Sequence, residues 1–181
     1  MVTSTMSPTG FLSRDPIGFK GSPYDLYEFL DSIPLNRVDP NGTECSTLII
    51  MGHNFAGFET DVNTVIDELE GKLGQCDRVG VISCSCDTAM NHCKDKLGEE
   101  HTIDGWPEVG QLYCKDVVRL LKEAWPAIKA SQDAACKDCK CKESKIMFNC
   151  QQSMSQCLDK HVKAGTLKFN PCGTTITKPC K

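Results

Sequence analysis

The pattern of apolar and polar positions is clearest between residues 47 and 83 of the chain. Two short apolar, β-branched segments, 47–51 and 78–83, are each typical of a buried strand. The segment between them, 60–73, places its apolar residues at the spacing of one helical face: Val62, Val65, Ile66, Leu69 and Leu73. Strand, helix and strand in this order predict a βαβ unit with parallel strands and a right-handed crossover.

The rest of the chain shows mainly helical spacing. Residues 87–97 predict one helix, and residues 112–125 predict a second helix that ends or kinks at Pro126. Residues 145–162 predict a third helix, because one face collects these side chains: Ile146, Met147, Cys150, Met154, Cys157 and His161. The tail that follows is rich in turn residues and is expected to be irregular.

These elements place the chain in the α/β class: a small sheet containing the parallel βαβ unit, and a cysteine-rich helical C-terminal half. All 13 cysteines of the 181-residue chain lie at or after Cys45. This change in composition predicts a segment 1–44 and a domain 45–181, whose parts are 45–105 (α/β) and 106–181 (helical). Such a cysteine content is near that of disulfide scaffolds, and the odd number leaves at least one thiol unpaired.

The segment 1–44 contains the turn sequence Asp-Pro-x-Gly twice, at 15–18 and at 39–42. Proline fixes φ, glycine accepts positive φ, and aspartate can bond nearby backbone amides, so each copy predicts a tight turn. Arg-Asp-Pro-x-Gly, a Leu-Tyr centre and Asn-x-x-Asp-Pro-x-Gly follow one another in order. Together they resemble the closing motif of the Rhs (YD-repeat) family, its repeat-associated core.

That resemblance implies a large β-shell enclosing a variable C-terminal domain, often a toxin, which many members release by self-cleavage after the second turn. It assigns the cleavage-site residues to Arg14, Asp15 and Asp39, with the two aspartates as an acid and base pair. The sequence departs from the family at Thr43, where cleaving members usually have an apolar residue, and we expect this chain to lack the shell. Self-cleavage by this chain alone is therefore not expected, and two purely structural turns are the alternative.

The Rhs resemblance also implies two partners: the shell of a longer protein and a neutralising immunity protein. The first residues are polar and do not resemble a signal peptide, and no apolar run approaches the roughly 20 residues of a membrane span. We therefore expect secretion or surface display as part of a larger exported protein. Net charge is −8 over 59–108 and +7 over 111–181, but aromatic side chains are too sparse in the basic half for a strong nucleic-acid signal.

Two residues whose side chains can act in catalysis come directly after the predicted strands. His53 follows the first strand and Cys84 follows the second. Reacting groups collect at the carboxyl ends of parallel strands, so these two side chains are expected to approach each other, and an imidazole can activate a thiol. This layout resembles caspase-like cysteine peptidases, in which such a pair is the catalytic dyad. Asn54 and the short spacing of 31 residues depart from that family. A structural cysteine with a loop histidine, or a metal site, is the alternative.

Cys136, Cys139 and Cys141 form a second group, Cys-x-x-Cys-x-Cys. Cys-x-x-Cys supplies two thiolates to a tetrahedral zinc ion, the only cofactor that the sequence suggests. The rival assignment is disulfide bonding, whose connectivity cannot be read from the sequence. An exported chain favours disulfides, and a cytosolic chain favours zinc.

The sequence thus predicts the C-terminal portion of an Rhs repeat-associated core protein that carries an effector or toxin domain. The predicted activity of this domain is that of a thiol (Cys-His) hydrolase. The alternative is a non-enzymatic, disulfide-stapled or metal-binding surface domain. A toxin that acts on nucleic acid through the basic half is a third class, and it predicts steeply salt-dependent binding.

Overall fold

The computed structural model of the chain describes residues 44–52, 58–83, 87–107 and 116–181. The strands in these ranges are β1 (Glu44–Gly52), β2 (Arg78–Ser83), β3 (Glu143–Cys150) and β4 (Thr175–Pro179). The helices are α1 (Phe58–Leu69), α2 (Asp87–Leu97), α3 (Val117–Asp138) and α4 (Gln152–Lys163), with a short 3-10 turn at Glu99–His101. The strands form one sheet in the order β2-β1-β3-β4.

β1 is one of the two inner strands and has a parallel neighbour on each side. It pairs with β2 from Thr47↔Arg78 to Gly52↔Ser83. On its other side it pairs with β3 from Glu44↔Glu143 to Met51↔Cys150, and β4 lies antiparallel to β3. The residues of β1 from 48 to 51 are all buried, as is usual for an inner strand of a parallel sheet covered on both faces.

Helices cover both faces of the sheet. Successive β1 side chains point to opposite faces, so β1 contributes apolar residues to the packing on both. Ile49 and Met51 pack on one face in a cluster with residues of α3 and α4 that include Leu121, Ile128 and Leu158. Leu48 and Ile50 pack on the other face with the apolar stripes of α1 and α2: Val62, Val65, Ile66, Leu69, Cys93 and Leu97. Each large apolar side chain buried in this way stabilises the fold by about 1.5–3 kcal/mol.

The α/β class and the predicted βαβ unit are confirmed. The two predicted strands correspond to β1 and β2, the strands are parallel, and α1 connects them. The helix predicted at 87–97 coincides with α2. α1 ends at Leu69, earlier than predicted, and Gly71 turns the chain with a φ of 72° that favours glycine.

The prediction of one helix over 145–162 is wrong. Glu143–Cys150 is a strand, and α4 begins only at Gln152. Ser144, Ile146 and Phe148 are buried while the residues between them are more exposed, which is the period of two that a strand requires. The tail that was expected to be irregular contains β4, so the C-terminal half contributes two strands to the same sheet as β1 and β2.

α3 also differs from its prediction, because it continues through Pro126 to Asp138. Proline removes the backbone hydrogen bond to the carbonyl of Lys122. The helix nevertheless keeps one buried face along its length: Val117, Val118, Leu120, Leu121, Ala124, Ile128, Gln132 and Ala135. Nε2 of Gln132 donates to the carbonyl oxygen of Ser144 at 3.0 Å, which holds the last turns of α3 on β3. Packing of this face outweighs the lost hydrogen bond.

Candidate functional site

The carboxyl ends of β1, β2 and β3 lie at one end of the sheet. We call this end the rim. β1 and β2 remain paired up to Gly52 and Ser83, the last residue of each strand. His53 and Cys84 follow these two residues directly in the sequence, and both lie outside the described residues. Paired strands are about 4.8 Å apart. The chain therefore leaves the sheet towards His53 and towards Cys84 from adjacent points of the rim.

The third strand of the rim adds a polar residue on the other side of β1. The backbone N–H of Gln151 donates to the carbonyl oxygen of Met51 at 2.8 Å, and Gln151 is buried. Its Oε1 accepts a hydrogen bond from Oγ of Ser153 at 3.0 Å. Sequence analysis missed Gln151 because it assigned this part of the chain to a helix. The alternation of buried residues in β3 is the signal that identifies the strand and hence this position.

Two helices start close to the rim in the sequence. α2 begins at Asp87, three residues after Cys84, and α4 begins at Gln152, directly after β3 and Gln151. The first N–H groups of a helix have no partner within the helix, and the helix dipole places partial positive charge there. This arrangement favours negative charge at the rim, including a thiolate or the oxyanion of an acyl-transfer intermediate.

Cys93 is the free cysteine within the described ranges, and it lies fully buried in α2. Burial raises the pKa of its thiol to about 12, and the positive charge of Lys94 opposes this shift only in part. A buried thiol with this pKa is protonated at neutral pH and closed to reagents, so Cys93 is a packing residue rather than a nucleophile.

Disulfides connect the elements at both ends of the sheet. Three of them lie near the amino ends of the parallel strands: Cys45–Cys141, Cys76–Cys139 and Cys136–Cys180. Cys150–Cys172 connects the carboxyl end of β3 to the segment before β4, and Cys157 is also disulfide-bonded. The predicted cysteine-rich, disulfide-bonded character is confirmed. Disulfides of this number fit an extracellular protein, since they persist in oxidising environments.

The three predicted metal ligands do not form one group. Cys136, Cys139 and Cys141 are each bonded to a different partner, namely Cys180, Cys76 and Cys45. The sulfur atoms of Cys45, Cys76 and Cys139 instead lie within 4.8 Å of one another. Sequence spacing could not identify this group, because its members come from β1, the loop before β2 and the end of α3.

Two further predictions concern self-cleavage and membrane-spanning segments. Arg14, Asp15 and Asp39, the residues assigned to self-cleavage, lie outside the described residues, so that assignment stays a prediction. Among the helices that the structure describes, none combines the length and apolar character needed to cross a membrane.

Comparisons of the chain with protein-family models, with curated proteins and with solved structures found no match. The resemblances to the Rhs family and to caspase-like peptidases therefore rest on the sequence motifs alone.

Proposed function

We propose that residues 45–181 form a thiol hydrolase domain in which Cys84 is the nucleophile and His53 is the general base. One observation supports this proposal most strongly: β1 and β2 are parallel neighbours whose last residues, Gly52 and Ser83, are paired with each other. The residues that directly follow such a pair start from adjacent points. This is the placement that a Cys-His dyad built on two strands requires.

The surroundings of the rim support a reactive thiolate there. α2 starts three residues after Cys84, and helix N-termini lower the pKa of nearby thiols. On the far side of β1, the N–H of Gln151 holds β3 against the end of β1 through its bond to Met51. The rim is thus held by three hydrogen-bonded strands, and rigid strands keep a catalytic pair in register better than loops alone.

The proposed chemistry is acyl transfer to sulfur. The imidazole of His53 accepts the thiol proton of Cys84, and the thiolate attacks the carbonyl carbon of an amide or ester. The bond from that carbon to the leaving nitrogen or oxygen breaks, and the imidazolium returns its proton to the leaving group. Water then attacks the resulting thioester with imidazole as base, which releases the acid and restores the thiol. Backbone N–H groups near the rim would stabilise the oxyanion in both steps.

We further propose that this domain is the effector part of an Rhs repeat-associated core protein, with residues 1–44 as its core-associated tail motif. The two Asp-Pro-x-Gly sequences support this origin. The disulfides are consistent with an effector that matures outside the reducing cytosol, as part of a larger exported protein. An immunity protein that neutralises the domain is the partner expected on this proposal.

Substitutions at the rim of the full chain test the proposal. Cys84→Ala and His53→Ala should each abolish growth inhibition on expression in bacteria and the hydrolysis of fluorescent casein. Cys86→Ala, from the same segment, is the matched control and should keep both. Labelling with iodoacetamide, mapped by mass spectrometry, should modify Cys84 with an apparent pKa below that of an ordinary thiol, about 8.5. In His53→Ala that apparent pKa should rise.

Two results contradict the hydrolase proposal: growth inhibition or hydrolysis that persists in Cys84→Ala, or recovery of Cys84 in a disulfide-linked peptide. The second result would favour the other candidate, a non-enzymatic binding domain stapled by disulfides. The gathering of three disulfides at one end of the sheet is the observation that favours that candidate.

A further inference from the structure

The end of the sheet opposite the rim brings four cysteines together. We call Cys45, Cys76, Cys139 and Cys141 the sulfur cluster. The sulfurs of the first three lie within 4.8 Å of one another, and Cys141 is bonded to Cys45. Four thiolates about 2.3 Å from a tetrahedral zinc ion are separated by roughly 3.8 Å. The sulfur cluster therefore has the ligand type and the number of a structural zinc site. Three of its sulfurs are nearly at the required spacing, and the fourth, that of Cys141, is joined to one of them.

We propose that the sulfur cluster is a zinc-binding site in the reduced protein, so that one set of cysteines is oxidised in one compartment and holds zinc in another. The proposal goes beyond the thiol hydrolase function and does not depend on it, since the sulfur cluster and the rim lie at opposite ends of the parallel strands. Reduction leaves the four side chains close to one another for reasons other than the disulfides themselves.

Cys45 and Cys76 are held together by the side chain of Asp77. Its Oδ1 accepts a hydrogen bond from the backbone N–H of Ser46, next to Cys45, at 2.9 Å. Its Oδ2 accepts from the N–H of Gly74 at 2.8 Å, which closes the turn that contains Cys76. These bonds connect β1 to the loop before β2 without any contribution from sulfur.

Cys139 and Cys141 are positioned by the end of α3 and the start of β3. The N–H of Cys139 donates to the carbonyl of Ala135 at 3.2 Å, and Lys140 turns the chain with a φ of 53°. The pairing of β3 with β1 then brings Cys141 back beside Cys45. The Cα atoms of the two bonded pairs in the sulfur cluster are 6.0 and 6.2 Å apart, so side-chain rotation can direct the sulfurs at a common ion.

Burial and charge suit a zinc tetrathiolate. Cys45 and Cys141 are buried, whereas Cys76 and Cys139 are half-buried and leave an entry path for the ion and for a reductant. Lys140 and Lys142 flank Cys141 in the sequence, and nearby cations favour the thiolate form. A zinc ion with four thiolates carries a net charge of −2, which these lysines offset in part.

The conversion balances with a dithiol as the reductant. One thiolate of the dithiol attacks a protein disulfide, its second thiol displaces the mixed disulfide, and each protein disulfide accepts two electrons to become two thiols. Two dithiols are oxidised to cyclic disulfides. The four protein thiols of the sulfur cluster then release four protons as they bind one Zn²⁺.

The test uses the full chain, reduced with a water-soluble phosphine because dithiols themselves bind zinc. After addition of zinc chloride and gel filtration, metal analysis should find one zinc per chain. Cobalt(II) in its place should give the visible bands of tetrahedral thiolate coordination. Alkylation with N-ethylmaleimide should be slowed by zinc at four positions in the wild-type chain, as mapped by mass spectrometry: Cys45, Cys76, Cys139 and Cys141.

Matched variants separate this site from general thiol binding. The variant C76S/C139S should lose the bound zinc and the cobalt bands. C136S/C180S, which removes a disulfide from the same end of the sheet, should keep both. The proposal is overturned if reduced wild-type protein binds no zinc, if C76S/C139S binds it equally well, or if zinc protects other cysteines. The alkylation experiment uses only the wild-type chain. It can therefore refute the proposal even if a variant fails to fold.

Discussion

Removal of the Cys45–Cys141 disulfide tests how the crosslinks stabilise the fold. A disulfide stabilises mainly by closing a loop in the unfolded chain, and the cost of its removal depends on the size of that loop. The two cysteines are 96 residues apart in the sequence. The unfolded chain, however, is also crosslinked by Cys76–Cys139, so the loop that Cys45–Cys141 closes runs from Cys45 to Cys76 and from Cys139 to Cys141.

That shorter loop contains about 33 residues and gives a chain-entropy contribution of about 3.7 kcal/mol, against about 4.7 kcal/mol for 96 residues. Cys45 and Cys141 are also buried, so their replacement by alanine adds roughly 1–2 kcal/mol for two lost sulfur atoms. We expect C45A/C141A to lower the free energy of unfolding by about 5 kcal/mol. The melting temperature should fall by roughly 10–20 °C.

The measurement is urea unfolding of the oxidised full chain, followed by circular dichroism. Cys93→Ala is the control for a buried sulfur that closes no loop, and it should cost only about 1 kcal/mol. C76A/C139A opens the same loop of about 33 residues, so it should lose a similar chain-entropy contribution despite its sequence separation of 63 residues. A cost for C45A/C141A no greater than twice that of Cys93→Ala would refute the loop argument.

Two further predictions follow from contacts in the described part of the chain. A Cβ atom on Gly80 would lie 2.7 Å from the ring of Trp106 and 2.8 Å from Cδ1 of Ile103, so Gly80→Ala should destabilise the fold by about 1–3 kcal/mol in urea unfolding. Adding Trp106→Leu, which frees space, should recover part of that loss, and a strictly additive double variant would contradict the steric explanation. The hydrogen bond and ion pair with Lys178 hold the pKa of the exposed Asp133 carboxyl below its usual value. This stabilisation is present above pH 4 and is lost as pH falls through the lowered pKa, so the stability difference between wild type and Asp133→Asn should shrink below pH 4, and a constant difference would exclude the linkage.

The βαβ unit could be predicted because its signals are local. The apolar residues of α1 recur on one helical face, and the strand on either side contains a short run without polar side chains, 48–52 in β1 and 79–82 in β2. Helix spacing failed for β3, because Ile146, Cys150 and Met154 match a helical stripe although the first two belong to a strand and the third to α4. The paired strand β1 decides between the two periods, and it lies about 100 residues earlier in the chain.

The same distinction between local and distant information applies to the site. The two parallel strands that end directly before His53 and Cys84 could be predicted, because they depend only on the order of elements. The partners of Cys136, Cys139 and Cys141 could not be predicted, since they lie in β1, in the loop before β2 and after β4. Pro126 shows the limit of local rules in another way. Its intrinsic cost of about 3 kcal/mol is smaller than the apolar burial that the continuous helix α3 provides.

The disulfide between the first and third strands has a consequence for transport. Because Cys45 and Cys141 are 96 residues apart, their bond converts most of the domain into a covalent ring. A ring cannot thread in single file through a narrow pore, whatever force pulls on its ends. An oxidised chain must therefore cross a bilayer through an opening wide enough for more than one segment of the chain at a time. Otherwise the disulfide must be reduced before entry and reoxidised afterwards.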